Sequence, residues 1–169
     1  MVKLNSMNKD DHKKVLVKDI MTRRVISVAP ETSITDAARI ITEHNFAGLP
    51  VIDSYNKLVG ILTEYDLITR TSSLNVSFLQ RILTDIYSAK NNEEPREGEI
   101  SGLTVKDVMN PEPLTLSEDA TFEDIIKTFK DHHRVNPIPI VDKEGGVVGI
   151  ISRFDVLRPL NILSYGKSK

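Results

Sequence analysis

Gly60-Ile-Leu-Thr-Glu-Tyr-Asp66 and Gly149-Ile-Ile-Ser-Arg-Phe-Asp155 are two versions of one phrase, 89 residues apart. In each, a glycine and two apolar residues precede a hydroxyl residue, and an aspartate follows three positions later. An apolar run ending at Ser or Thr, with an acid at the third position, is typical of a strand that leads into a capped helix. The sequence therefore predicts the same strand-to-helix junction twice.

The repetition extends upstream of this phrase. Leu49-Pro-Val-Ile-Asp53 returns as Ile138-Pro-Ile-Val-Asp142 after 89 residues, and Val17-Lys-Asp-Ile-Met21 returns as Val105-Lys-Asp-Val-Met109 after 88. The second copy therefore carries one extra residue, which the alignment places near Arg134–Pro137. An internal repeat determines the architecture, so we expect a pseudo-symmetric pair.

Each copy begins with a short apolar segment, at Val25–Val28 and at Pro113–Leu116, which we predict to be a strand. Ser33 and Thr121 then act as helix N-caps, each with an aspartate three residues later. Apolar residues spaced i, i+3, i+4 and i+7 follow both caps, so each helix buries one stripe. The stripes are Ile34, Ala37, Ala38 and Ile41 in the first copy and Phe122, Ile125, Ile126 and Phe129 in the second.

A hairpin follows each helix. Leu49–Ile52 and Leu58–Leu62 are apolar runs separated by the turn Asp53–Asn56, and the second copy has Asp142–Gly146 at that place. With a second helix at the quoted hydroxyl residue, each copy reads β-α-β-β-α. The predicted fold is α+β: two repeats packed sheet to sheet, with a ligand cleft between them and an inserted linker helix.

The domain boundaries follow from the repeat. They are a polar N-terminal tail (1–14), the first repeat (15–70), a linker (71–104), the second repeat (105–160) and a C-terminal tail (161–169). The linker contains a helical apolar stripe, followed by an exposed loop at Asn91–Gly98. This helix either packs on its own module or contacts a partner. Its stripe is Phe78, Leu79, Ile82, Leu83 and Ile86.

Composition excludes several classes of protein. The chain has 169 residues, 40% of them apolar and 27% charged, with a net charge of -2 and no cysteine. This balance fits a globular domain and does not favour nucleic acid, a disulfide framework or a thiolate metal site. No segment is long and apolar enough for a membrane span or a secretory signal. We expect a cytoplasmic protein with no metal site and no membrane partner.

The paired junctions have two readings. The hydroxyl and the acid can simply cap the helix, as Thr63 with Asp66 and Ser152 with Asp155. They can also bind a ligand, because a helix N-terminus attracts phosphate and a carboxylate accepts ribose hydroxyls. The recurrence of this chemistry at equivalent places favours a ligand.

These phrases, the Val-Lys-Asp-[Ile/Val]-Met openings and the Pro-containing strands resemble the CBS-domain family from about Val15 to Leu160. The chain is similar to a freestanding tandem CBS pair, or Bateman module. The resemblance implies a regulatory module that binds an adenosine-containing ligand, AMP, ADP or ATP first. It also implies a disc-shaped homodimer that signals to a separate effector protein by changing shape.

The resemblance assigns roles to particular residues. Asp66 and Asp155 would hold ribose, and Thr63 and Ser152 would face phosphate. Adenine would lie between the first strand and the Pro-containing strand, although these apolar residues could equally be core. The residues so nominated are Ile26, Ser27, Leu49, Pro50 and Val51 in the first copy and Leu114, Thr115, Ile138, Pro139 and Ile140 in the second.

The two sites are predicted to differ. Arg153 follows the hydroxyl residue in the second copy and suits phosphate, whereas Glu64 in the first repels it. We therefore expect phosphorylated ligand at Ser152 and Asp155, with the other site weaker, empty or selective for an uncharged group. His132, His133 and Arg134 either reach the phosphates or stabilise a helix C-terminus.

Other functions remain open. The sequence contains no nucleophile with its base, no Walker-type phosphate loop and no metal cluster, so we expect no enzyme activity and no required cofactor. A ligand-free dimerisation scaffold would need only the capping roles of the two aspartates. S-adenosylmethionine, NAD and RNA are further alternatives that the family resemblance allows.

Overall fold

Helices and a hairpin alternate twice along the chain in the computed structural model, which describes residues 15–74, 80, 84 and 103–158. The first copy comprises α1 (Val17–Ile20), α2 (Ile34–His44), β1 (Gly48–Ile52), β2 (Leu58–Thr63) and α3 (Glu64–Leu74). The second comprises α4 (Val105–Val108), β3 (Leu116–Ser117), α5 (Phe122–Asp131), β4 (Ile138–Val141) and β5 (Val147–Ile151), and residues 153–158 are helical. The predicted linker stripe, the loop at 91–98 and both tails lie outside the described residues.

The predicted caps begin the long helices. The Ser33 hydroxyl accepts the Asp36 N–H at 3.0 Å, and the Thr121 hydroxyl accepts the Asp124 N–H at 3.2 Å. The whole predicted stripe of α2 is buried. On α5 the stripe is narrower than predicted, because Ile125 is buried but Ile126 is 43% exposed. The predicted apolar stripe was therefore wrong at Ile126. At the matching position of the first copy the smaller Ala38 is buried.

Both predicted hairpins are present. β1 pairs antiparallel with β2, and β4 pairs antiparallel with β5. Each turn is organised by its aspartate: Asp53 Oδ1 accepts the N–H groups of Tyr55 and Lys57, at 2.8 and 2.9 Å. Asp142 Oδ1 accepts two backbone N–H groups, each at 2.8 Å, in the same way. A side-chain oxygen that replaces a backbone acceptor is what makes Asp common in such turns.

The first predicted strand is the main difference from expectation. In the first copy only Val28 forms a bridge, parallel to Val51, so Val25–Val28 is not a strand. Toward Val25 the ladder stops because its next bond would require an N–H from Pro50, which proline lacks, and beyond Val28 the Ala29 N–H turns to the Thr32 hydroxyl. In the second copy the strand is short and begins only at Leu116, parallel to β4.

The opening helices cross between the copies. α1 contributes the fully buried Val17 to a core formed with Ile125 and the hairpin β4–β5 of the second copy. α4 contributes the fully buried Val105 and Val108 to the core of the first copy. Backbone bonds fix both crossings: the Val17 N–H donates to Ala120, and the Val105 N–H donates to Thr32. Each Val-Lys-Asp-x-Met segment therefore completes the opposite repeat.

The second residue after each crossing helix extends the opposite hairpin. Thr22 pairs antiparallel with Ile150 on β5, and Asn110 pairs antiparallel with Ile61 on β2. At the far end, the hairpin turns meet where the Leu58 N–H donates to the Gly145 carbonyl at 3.1 Å. Among the described residues, no helix is long and apolar enough to span a bilayer.

Candidate functional site

Among residues 15–74 and 103–158, two clefts lie at the junctions between the copies. The larger, which we call the Asp155 cleft, has a volume of about 370 Å³. The smaller, the Asp66 cleft, has a volume of about 240 Å³. Asn136 and Pro137 line both clefts and form a wall between them.

Each cleft combines residues from both repeats. Thr22 and Ile26 of the first copy line the Asp155 cleft together with Ser152 and Asp155 of the second. This arrangement follows from the crossing helices, because α1 delivers the segment after it to the edge of β5. The equivalent crossing brings Asn110 and Leu114 of the second copy to Thr63 and Asp66 of the first.

Ser152 and Asp155 form a complete capping box. Asp155 Oδ2 accepts the Ser152 N–H at 2.8 Å and the Ser152 hydroxyl at 2.7 Å. The Ser152 hydroxyl in turn accepts the Asp155 N–H at 3.3 Å. This geometry satisfies backbone donors at the start of the helical residues 153–158.

Thr63 and Asp66 repeat the same geometry. Asp66 Oδ2 accepts the Thr63 N–H at 3.1 Å and the Thr63 hydroxyl at 2.5 Å, and the Asp66 N–H donates to that hydroxyl at 3.2 Å. Both aspartates are buried, with Asp66 7% and Asp155 8% exposed. The capping role predicted from the sequence is therefore present at both junctions.

The second oxygen of Asp155 faces the other repeat. Its Oδ1 accepts the Thr22 hydroxyl at 3.3 Å and lies 3.4 Å from a guanidinium nitrogen of Arg158. Thr22 also lines the cleft, so this oxygen sits at the contact between the copies. A carboxylate with one oxygen in a cap can still offer the other to a ligand hydroxyl.

The helix N-terminus beside the Asp155 cleft is already occupied by protein groups. The Arg153 N–H donates to Asn136 Oδ1 at 3.1 Å, and the Asp155 N–H donates to Ser152. A phosphate placed there would have to displace Asn136. At the equivalent position of the first copy, the Glu64 N–H donates to the Ala47 carbonyl at 3.1 Å.

Arg153 points away from both clefts. Its guanidinium donates to the His133 carbonyl and lies 5.6 Å from the centre of the Phe129 ring. Arg24 is the arginine that lines the Asp155 cleft, and Arg134 lines the Asp66 cleft, 5.3 Å from the centre of the Tyr65 ring. Of the three residues nominated as phosphate contacts by position, the structure brings Arg134 to a cleft and places His132 and His133 at the exposed end of α5.

The candidate adenine residues separate into two groups. Ile26 lines the Asp155 cleft and Leu114 lines the Asp66 cleft. Ser27 and Thr115, the next residue in each copy, are not part of either lining. The residues of β1 and β4 are buried, four of them in the two hydrophobic cores. These strand residues are Leu49, Pro50, Val51, Ile138, Pro139 and Ile140.

Several cleft residues were not found from the sequence. Thr22 and Arg24 come after α1 and reach the opposite repeat, so reading each copy by itself could not place them. Phe46 lines the Asp155 cleft, where its ring stacks on that of His44 with centres 5.0 Å apart. Asn136 lies close to the one-residue insertion of the second copy, near Arg134–Pro137, and that insertion was the sequence signal for this segment.

A family model of the CBS domain matches residues 17–73 and 105–161. The chain is 32% identical over 148 residues to the chloroplastic CBS domain-containing protein CBSX2 of Arabidopsis thaliana, covering 84% of this chain and 62% of that protein. It thus spans less than two thirds of that relative. It is 30% identical over 155 residues to the protein MJ1426 of Methanocaldococcus jannaschii, covering 86% of this chain and 91% of the other.

Solved structures show the same fold. The crystal structure of CBSX2 in complex with AMP superposes with a TM-score of 0.66 at 30% identity, covering 89% of this chain and 98% of that one. The CBS domain pair of protein MJ0100, in complex with 5'-methylthioadenosine and S-adenosyl-L-methionine, gives a TM-score of 0.60 at 26% identity, covering 92% and 99%. With both repeats matched and the paired fold in common, this chain belongs to the CBS-domain family as a tandem CBS pair.

Proposed function

We propose that this chain is a non-catalytic regulatory module that binds an adenosine-containing ligand, with an adenine nucleotide as the first candidate, in the Asp155 cleft. The observation that carries the proposal is the position of Asp155. This buried carboxylate caps a helix with one oxygen and meets Thr22 of the other repeat with its second. A ligand hydroxyl that joins this contact would bridge the two copies.

The residues around Asp155 suit the parts of such a ligand. The Asp155 Oδ1 atom is the acceptor for ribose hydroxyls, and Ile26 offers an apolar surface for the base. Arg24 is the cation that lines this cleft, so we assign it to the phosphate in place of Arg153. Arginine binds phosphate through a planar fork of donors.

The size of the clefts supports a preference between them. Small-molecule sites usually have volumes of about 300–1,000 Å³. The Asp155 cleft, at about 370 Å³, falls in that range, whereas the Asp66 cleft, at about 240 Å³, falls below it. We therefore propose that the Asp155 cleft binds ligand more tightly. The sequence predicts the same preference from Arg153, but Arg153 lines neither cleft, so Arg24 is the cation that supports it.

The relatives support the ligand class. CBSX2 has been crystallised with AMP, and the CBS pair of MJ0100 with 5'-methylthioadenosine and S-adenosyl-L-methionine. All three molecules contain adenosine and differ at the 5' substituent. We propose AMP first because Arg24 gives the Asp155 cleft a cation for a phosphate.

Signalling would result because residues of both repeats line the Asp155 cleft. A ligand that touches Thr22 and Ser152 together favours the arrangement in which both copies are close, and an effector protein can sense that arrangement. We place the module in the cytoplasm with a separate effector.

A homodimer is the assembly that the exposed apolar side chains support. Tyr65 and Ile68 on α3 are exposed, and Phe154 and Leu157 occupy the equivalent positions of the second copy. Two matched apolar pairs suit an isologous contact between identical chains. Light scattering should show a dimer for the wild type and a monomer for Ile68→Glu with Leu157→Glu. If the double variant keeps the mass of the wild type, this face is not the interface.

The alternative that the geometry favours is a ligand-free scaffold. Both capping boxes are complete without a ligand, so helix capping alone explains why each aspartate is needed. The scaffold predicts that no adenosine compound changes the stability of the folded chain.

Thermal unfolding with AMP, ADP, ATP, S-adenosylmethionine and NAD in turn separates these functions. A ligand at 100 times its dissociation constant adds about 2.7 kcal/mol, which raises the unfolding midpoint by roughly 5–10 °C in a chain of this size. Asp155→Ala should abolish the rise, while the matched variant Asp66→Ala should keep most of it. Each shift is measured against the same variant without ligand, because both substitutions remove a cap. If no compound raises the midpoint of nucleotide-free wild type, the scaffold is correct.

A further inference from the structure

The wall between the two clefts is built from one short segment of the second repeat. Asn136 and Pro137 line the Asp155 cleft on one side and the Asp66 cleft on the other. Pro137 also packs closely against the first repeat: a Cβ built on Gly48 would lie 3.1 Å from Pro137 Cδ. The wall therefore has little room to withdraw from both clefts together.

Asn136 is bonded to the helix that borders the larger cleft. Its Oδ1 accepts the Arg153 N–H at 3.1 Å, immediately before Phe154 and Asp155, which line the Asp155 cleft. The Arg153 guanidinium donates to the His133 carbonyl. Two bonds thus tie the helical residues 153–158 to the segment that ends at the wall.

The same segment reaches into the smaller cleft. Arg134, next to His133, lines the Asp66 cleft and lies over the Tyr65 ring, which lines it as well. A continuous set of contacts therefore joins Asp155, through Arg153 and Asn136, to Tyr65. In the first repeat, the matching positions of Arg153 and Arg134 are Glu64 and Phe46, so the bond from the Glu64 N–H to Ala47 is present there but the two arginine side-chain contacts are not.

We infer that Asn136 couples the two clefts, so that a ligand in the Asp155 cleft weakens binding in the Asp66 cleft. The smaller cleft, at about 240 Å³, is below the usual size of a small-molecule site, so binding of a nucleotide there favours a wider cleft. Asn136 and Pro137 bound it on the side of the Asp155 cleft, so widening on that side moves the wall toward a ligand bound in the Asp155 cleft. Energetic coupling through such a contiguous set of contacts is reciprocal.

This coupling rests on the proposed function, because it requires AMP to bind the Asp155 cleft. Typical coupling between two sites changes affinity by about 5–150-fold. In wild-type protein the second AMP enters the Asp66 cleft while the Asp155 cleft is occupied. We expect its affinity to be at least about fivefold lower than the affinity of the Asp66 cleft for AMP when the Asp155 cleft is empty.

Ile26→Asp supplies the empty state. Ile26 is 40% exposed and lines only the Asp155 cleft, so an aspartate there replaces the apolar surface proposed for the base with a charge without disturbing the core. In isothermal titration, AMP should bind the Asp66 cleft of the Ile26→Asp variant with an affinity at least about fivefold higher than that of the second AMP for the wild-type protein. Adding Asn136→Ala to both proteins should remove the difference.

Two further variants complete the experiment. Arg153→Ala cuts the bond to the His133 carbonyl but keeps Asn136, and should reduce the difference if Asn136→Ala does not fold. The matched control is Asn110→Ala, because Asn110 lines only the Asp66 cleft. It should weaken that cleft equally with and without Ile26→Asp and leave the ratio unchanged.

The possible results separate the coupling from the proposed function. Equal affinity of the Asp66 cleft in wild type and Ile26→Asp, or no binding to Ile26→Asp when wild type binds AMP, would overturn the coupling and leave the proposed function standing. No AMP binding to wild type would overturn the proposed function and the coupling with it.

Discussion

Replacing Val17 by alanine tests the crossing of α1 into the second repeat. Val17 is fully buried in one cluster with Ile125, although the sequence places it in the first repeat. Losing two buried carbon groups costs about 1.6 kcal/mol, at about 0.8 kcal/mol each. A residual cavity of about 50 Å³ adds roughly 1.2 kcal/mol. We expect Val17→Ala to lower the free energy of unfolding by about 2–3 kcal/mol.

Double-mutant cycles, measured by urea unfolding, show which repeat contains the core that Val17 stabilises. Val17→Ala should couple with Ile125→Val by at least about 0.5 kcal/mol and be additive with Leu62→Ala within roughly 0.5 kcal/mol. The matched control is Val105→Ala, because Val105 is buried in the cluster that contains Leu62. Val105→Ala should couple with Leu62→Ala and not with Ile125→Val. If Val17 coupled with Leu62 instead, the crossing of the opening helices would be refuted.

Three smaller effects can be measured in the same way. Gly149→Ala should destabilise the fold by about 1–3 kcal/mol, because a Cβ there overlaps Met21 Sδ. Met21→Ala should relieve this loss, so additive free-energy changes of the two substitutions would contradict the overlap. Thr121→Ala should cost about 1 kcal/mol through the lost cap of α5, whereas Thr121→Ser should retain the wild-type urea midpoint. The Gly146 and Glu144 N–H groups hold the pKa of Asp142 below its usual 3.8, so its contribution to stability is present above that pH and is lost as the pH falls further. Acid titration of unfolding should therefore be less steep for Asp142→Asn; an unchanged slope would contradict the assignment.

Local signals in the sequence were sufficient for most of the secondary structure. The caps at Ser33 and Thr121, the helix after each of them and both hairpins were predicted and confirmed. Capping and turn formation depend on residues within about four positions of each other, so a single sequence contains the information. The strand predicted at Val25–Val28 failed because Pro50, on the neighbouring strand β1, has no N–H to continue the ladder before its single bridge at Val28.

The composition of the site depends on tertiary structure. The repeated phrase correctly indicated Thr63, Asp66, Ser152 and Asp155 as the capped junctions. It could not show that Thr22 of the first repeat meets Asp155 of the second, since the residues are 133 positions apart and their contact results from the crossing of α1.

The sequence by itself determined that the chain is one unit written twice, because the repeat, its periodicity and its caps are local properties of the residues. Only the tertiary structure decided which copy supplies each wall of a cleft, and that Arg153 turns to the His133 carbonyl while Arg24 lines the Asp155 cleft. The physical reason is that Val17 and Val105 are buried in the hydrophobic core of the opposite repeat. The segments that follow them in the chain therefore lie against that repeat and line its cleft.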